Sequence, residues 1–204
     1  MKLRLAISGS AGTGKTTLAR ELSHRLNLPL IPEAMRAYLE AGGKRLDRVA
    51  QAQAEMKLAE FRAELEAAEG RLGAFVTDNG ALDLDAYAHW YGCAGASKTG
   101  AHAGRYDAVV ILPAGILPYE RDGIRQEDPA QEAQFQKLLE RLAEESELES
   151  VLLRVPTQLR TVEERAEWVL EQFKRFTTKG TKEEKKNRYK DHRKDAEKPE
   201  WMVN

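Results

Sequence analysis

The sequence predicts an α/β fold of three layers, a five-stranded parallel sheet with helices on both faces. Three observations point to it. Five short apolar runs of β character alternate with longer segments of helical periodicity. The turn between the first run and the first helix is glycine-rich, Gly9-Ser10-Ala11-Gly12-Thr13-Gly14-Lys15-Thr16. Polar residues able to do chemistry cluster where the β-runs end, the rim at which open parallel sheets bind ligands.

Taken in order, Leu3 to Ile7 is the first strand and Gly14 to Leu26 the first helix, with Leu18, Leu22 and Leu26 on one face. Leu28 to Ile31 is a short second strand stopped by Pro32. Leu58, Phe61, Leu65, Ala68 and Leu72 recur every three or four residues and predict a long amphipathic helix from about Lys44 to Gly70. Ala74 to Asp78 is a third strand that ends in an acid, and Leu82 to Tyr91 reads as helical. Ala108 to Leu112 is the fourth strand, closed by Pro113. Asp128-Pro129 supplies an N-cap and a proline at the first helical position, ahead of Phe135, Leu138, Leu139 and Leu142 on one face. Val151 to Val155 is the fifth strand. Thr161-Val162-Glu163-Glu164 has capping-box spacing and precedes Ala166, Val169, Phe173 and Phe176 at helical intervals.

The bulk properties bound the function. A chain of 204 residues suits one domain with a sizeable core. With 42% hydrophobic and 32% charged residues it reads as an ordinary soluble protein. No stretch is long and apolar enough to cross a membrane, and the N-terminus does not read as a signal peptide. These features give a cytoplasmic expectation. Cys93 is the only cysteine, and the four histidines lack metal-site spacing, which argues against a structural zinc site. The net charge of −1 hides an asymmetry. From Gln172 onward there are eleven Lys/Arg against six Asp/Glu, so the preceding body is acidic. An acidic body disfavours nucleic acid as the main ligand, while the basic end keeps a weak form of that idea open. Residues 1–176 are expected to form the domain and 177–204 a Lys-rich tail.

The glycine-rich turn has the form Gly-x-x-x-x-Gly-Lys-Thr and sits between a strand and a helix, the context in which such a loop wraps a polyphosphate. Gly9, Gly12 and Gly14 permit the tight path, and inward-pointing N–H groups with the helix N-terminus attract the anion. Lys15 places a point charge on the β- and γ-phosphates, and Thr16 offers a hydroxyl to Mg²⁺. The binding segment is therefore Gly9 through Thr17, and the expected cofactors are ATP and Mg²⁺.

The loop alone does not separate kinases from GTPases or motor ATPases. No Asn-Lys-x-Asp occurs, which disfavours guanine recognition, and the third strand ends in Thr77-Asp78-Asn79 rather than Asp-Glu. Phosphoryl transfer needs a phosphate grip, a metal, a base and cations over the transferring group. Asp78 is the candidate for orienting Mg²⁺ or accepting a proton. Glu33 and Arg36 are candidates for the acceptor side, or else an exposed ion pair one turn apart. Arg121 and Arg125, in a polar segment after the fourth strand, are candidates for a closing lid, or else solvated loop charge. Asp83 and Asp85 read as acids on a helix face rather than metal ligands, and Trp90 and Tyr91 as core aromatics or else a stack for an acceptor base.

With those residues in view, the chain resembles the small P-loop kinases. The resemblance lies in the phosphate loop, Pro32-Glu33-Ala34-Met35-Arg36-Ala37-Tyr38-Leu39, Thr77-Asp78 and Asp122-Gly123-Ile124-Arg125, in that order, and covers roughly residues 2 to 175. The similar group is that of NadR-type nicotinamide riboside kinase domains and related AAA-domain ATPases, within the nucleoside and nucleotide kinase superfamily. The resemblance implies a P-loop NTPase sandwich. It gives Lys15 and Thr16 the phosphate and metal roles, Glu33 and Arg36 the acceptor side, Asp78 the metal or base, and Arg125 the lid. Many deoxynucleoside kinases follow the third-strand acid with Arg-Ser, whereas here Asn79-Gly80 stands, one cation fewer at the acceptor site. The function expected is ATP-dependent phosphoryl transfer to a small acceptor, a nucleoside or nucleotide. The alternative is a nucleotide-dependent ATPase or binding module that engages a macromolecule through the basic tail. Oligomeric state is not readable from the sequence.

Overall fold

In the computed structural model the described residues are 3–33, 73–92, 106–117, 129–145 and 151–175. Five strands occur among them: β1 (Arg4–Ser8), β2 (Leu30–Ile31), β3 (Phe75–Asp78), β4 (Ala108–Ile111) and β5 (Val151–Arg154). All pair in parallel in the order β2-β3-β1-β4-β5. The helices α1 (Lys15–Leu26), α2 (Ala81–Tyr91) and α3 (Pro129–Glu145) follow β1, β3 and β4. Residues 162–175 are also helical. Residues 1–166 form one compact unit that holds the sheet, and 167–204 form a second. The helix expected over Lys44 to Gly70 lies outside the described residues.

β1 is central because it is apolar on both faces: Leu5, Ala6 and Ile7 are fully buried. Its register sets Ile7 beside Asp78 of β3 and Ser8 beside Ile111 of β4. Side chains alternate along each strand, so Ala6, Phe75, Val109 and Ile111 share one face. There they form a core with Ala81, Leu82 and Ala86 of α2 and Phe135, Leu139 and Leu142 of α3. Leu5, Ile7, Val76 and Val110 take the opposite face, and α1, lying against β1, β2 and β3, buries Leu18 and Leu22. Trp90 meets Phe135 edge to face at 5.9 Å and is partly buried against the first core. β2 is only two residues long and is flanked by Pro29 and Pro32, as suits an edge strand.

The capping box predicted at Thr161 is present: Glu164 N donates to Thr161 Oγ1 (3.2 Å) and Thr161 N to Glu164 Oε2 (3.0 Å). From β1 the chain runs to β2 and β3 on one side, while β4 and β5 lie on the other. The order therefore reverses at the carboxyl end of β1, where such sheets open a crevice. The glycine-rich loop occupies that position.

Candidate nucleotide-binding site

Gly9 has φ 148° and Gly14 φ 88°, both in the region that favours glycine. A side chain would also be crowded at either place. A Cβ on Gly9 would lie 3.0 Å from Thr13 Oγ1 and 3.1 Å from Leu112 O, and one on Gly14 3.1 Å from Leu117 Cδ1. α1 starts at Lys15 with no acid in its first turn and no side-chain cap, since Gly14 is the N-cap residue. No acidic side chain of its own first turn therefore covers its leading N–H groups and positive dipole end. Lys15 is buried, and its Nζ donates to Gly9 O (2.7 Å) and Ser10 O (2.8 Å), closing the loop from within. Thr13 Oγ1 donates to Ser10 O at 2.8 Å.

From outside, four side chains hold peptide groups of the loop. Asp83 Oδ1 accepts from Gly9 N (3.2 Å), Gln136 Oε1 from Ser10 N (2.8 Å) and Glu132 Oε2 from Ala11 N (2.8 Å). Arg165 Nη1 donates to Thr13 O (2.8 Å). Gln136 Nε2 also donates to Leu112 O (3.2 Å), so one amide ties the loop to the end of β4. Asp83 is 0% exposed and binds two further donors, Ser8 Oγ (2.6 Å) and Gly80 N (2.9 Å), through Oδ2. Burial raises its pKa above the ordinary 3.8, although the Lys15 charge and the Ser8, Gly80 and Gly9 donors pull it down. Arg165 has its own pKa lowered by burial, opposed by the charge of Glu164.

Asp83 corrects the sequence expectation of a helix-face acid. It sits on α2, but its carboxylate faces inward as the N3 acid reaching back to the Gly80 amide. Its spacing from Gly80 was a local signal for that role. Glu132, Gln136 and Arg165 had none, because their loop partners lie 121, 126 and 152 residues away.

Of the residues singled out in the sequence, the loop Gly9 to Thr17, Glu33 and Asp78 all come to the carboxyl edge of the sheet. Thr16 is half-buried in the first turn of α1, and Thr17 is exposed. Asp78 ends β3 beside Ile7; it is 2% exposed, and its Oδ1 has no hydrogen-bond partner among the described residues. Glu33, two residues beyond β2, is buried and not helical, which removes the reading of an exposed helical ion pair. Asn79 follows Asp78 at φ 63°, a left-handed conformation that asparagine tolerates better than most residues, and its N–H donates to Ile7 O at 3.1 Å. Arg36, Arg121 and Arg125 lie outside the described residues.

The donor set fits magnesium held chiefly by phosphate and water. Among the described residues no group of three or more His, Cys, Asp or Glu could hold a metal by itself. A hydroxyl at Thr16 and a buried carboxylate oxygen at Asp78 are oxygen donors of the kind this ion uses with few protein ligands.

Sheet order, loop and first helix together define a P-loop nucleotide-binding α/β protein. The chain belongs to an AAA-domain family (AAA_28), which it matches over residues 4–165. No curated protein matches it. Its fold is that of the P-loop kinases. Deoxyadenosine kinase from M. mycoides, with dCMP and dCDP bound, is similar at a TM-score of 0.64 and 15% identity, over 84% of this chain and 99% of that one. The NadR protein in complex with NR is similar at 0.60 and 21%, over 76% of this chain and 43% of that one. Shikimate kinase from Acinetobacter baumannii is similar at 0.57 and 17%, over 84% and 92%. No helix among the described residues is long and apolar enough to cross a membrane.

Proposed function

We propose that this protein transfers the γ-phosphoryl group of ATP to a small acceptor, a nucleoside or nucleotide. One observation carries it: Asp78, a buried carboxylate with an oxygen unpartnered among the described residues, ends the strand alongside β1, whose own end opens into the Lys15 loop. A phosphate-binding loop alone serves many purposes, and a neighbouring buried acid adds the group that phosphoryl transfer needs. Support for a nucleoside-like acceptor comes from the folds it resembles, deoxyadenosine kinase and NadR with NR among them. Shikimate kinase shares the fold too, so shikimate belongs among the acceptors tested.

In this scheme the loop amides from Gly12 onward, Lys15 and the α1 N-terminus hold the β- and γ-phosphates. An acceptor oxygen attacks the γ-phosphorus in line, the bond to the β–γ bridging oxygen breaks, and ADP leaves with that electron pair. The acceptor proton passes to Asp78 or, where Asp78 orients the metal's water shell, to solvent. Magnesium would be held by the Thr16 hydroxyl, with Asp78 nearby, and would supply charge neutralisation. Glu33 and Arg36 would hold the acceptor, and Arg121 and Arg125 would cover the transferring group. Positioning and electrostatics account for the catalysis. The domain would comprise residues 1–176, with 177–204 as an appended tail.

The test is coupled ADP release across a panel of nucleosides, nucleotides, nicotinamide riboside and shikimate. Turnover stimulated by a nucleoside or nucleotide supports the proposal, and stimulation by none of the panel sinks it. ATP hydrolysis stimulated by a macromolecule, and lost when residues 178–204 are deleted, would instead favour the binding-module alternative.

A further inference from the structure

Resting on the nucleotide-binding proposal above, we propose that Arg165 is a positioning residue for the polyphosphate. By pinning the Thr13 carbonyl it turns the Gly14 amide toward the phosphates. Arg165 is 2% exposed, so its guanidinium is not a surface charge. Nη1 donates to Thr13 O at 2.8 Å and Nε to Leu159 O at 3.0 Å, and the two bonds anchor the head group between the loop and the turn after β5. Nη1 also lies 3.3 Å from where a Cβ on Gly14 would stand, so the cation sits directly behind that residue.

The consequence follows from peptide geometry. The described chain has no cis peptide, and in a planar trans peptide the carbonyl and the next N–H point in opposite directions. With Thr13 O drawn outward to Arg165, Gly14 N–H points away from Arg165, into the loop. The glycine at one end of this peptide leaves that orientation loose. Thr13 lies between Gly12 (φ 72°) and Gly14 (φ 88°), and glycine adopts either sign of φ at little cost. The Thr13–Gly14 peptide turns about Thr13 ψ and Gly14 φ, so the glycine eases a flip, and a flip would aim a carbonyl oxygen, rather than a donor, at the phosphates. A charged donor reaching in from the far end of the domain removes that freedom. Its positive charge also stands behind the cradle, where burial leaves it weakly screened.

The test is titration of the full-length protein with two probes, ATP and inorganic triphosphate, for wild type, Arg165→Met and Arg165→Lys, with a thermal melt of each. Arg165→Met is expected to weaken both probes by the same factor, roughly 10- to 100-fold, the loss of one charged hydrogen bond. Equal loss marks an effect through the phosphate cradle, since the second probe has no base. Should the Met variant not fold, Arg165→Lys decides. Lysine keeps the charge but lacks the fork of separate Nε and Nη1 donors that meets Leu159 O and Thr13 O, so both affinities should still fall together. A folded variant that binds both probes like wild type overturns the inference, and so does one that loses ATP affinity alone. Failure of wild type to bind either probe would instead overturn the nucleotide-binding proposal itself.

Discussion

Ser8 Oγ donates a 2.6 Å hydrogen bond to Asp83 Oδ2 across 75 residues of sequence, joining the last residue of β1 to the first turn of α2. The same carboxylate takes Gly9 N and Gly80 N, so one buried group ties the base of the phosphate loop to the turn after β3. Loop and Asp78 are thereby held in fixed relation, the condition for a reacting group to be useful.

Asp83→Ala leaves three buried donors without this acceptor. At about 1 kcal/mol or more for each, the variant should lose at least about 3 kcal/mol of stability, read from urea midpoints. A loss below about 1 kcal/mol would mean the loop rearranges freely and that Asp83 is not its anchor.

Stability should also report the Asp83 proton. Its folded pKa is raised above 3.8 by burial, so the folded state holds the proton more tightly than the unfolded chain. The contribution is complete below 3.8 and is lost as pH rises through the folded pKa. Wild type should therefore lose stability relative to Asp83→Asn as pH climbs from 3.8 upward. Glu164, whose pKa is lowered by the Thr161 and Arg160 amides, acts in the opposite sense below 4.5. It is present in both proteins and cancels in the difference. A wild-type-minus-variant stability that rises with pH across this window would contradict the assignment.

Gly14→Ala should cost about 1–2 kcal/mol from the left-handed backbone alone, plus the displacement of Leu117 and Arg165. Because the strain sits in the loop, affinity for ATP should fall with stability. Paired melts and ATP titrations check this, and a stable variant with unchanged ATP affinity contradicts it.

Lys15→Ala should abolish acceptor-stimulated ADP release, by at least about 100-fold, while circular dichroism shows the fold retained. Loss of the Lys15 charge also removes a cation that lowers the Asp83 pKa, so the pH window described above should extend upward. Undiminished turnover in the folded variant would remove Lys15 from the role proposed for it.

The sequence by itself determined the sheet and the loop. Apolar alternation marks five strands within a residue or two of their observed bounds, and Thr161 with Glu164 marks a helix start to the residue. These features are local: periodicity, caps and glycine chemistry act within a few neighbours, so one stretch of chain displays them. The places of Lys15 and Asp78 were legible because they end or follow strands, and strand ends meet at one edge in a parallel sheet. Only the tertiary structure decided that Asp83 faces inward, that Glu132 and Gln136 of α3 hold the amides of Ala11 and Ser10, and that Arg165 reaches Thr13. An acid three residues after a glycine, or an arginine after a capping box, reads the same on a solvated helix as in a core. Burial separates the two, and burial comes from helices packing on a sheet whose strands are drawn from distant parts of the chain.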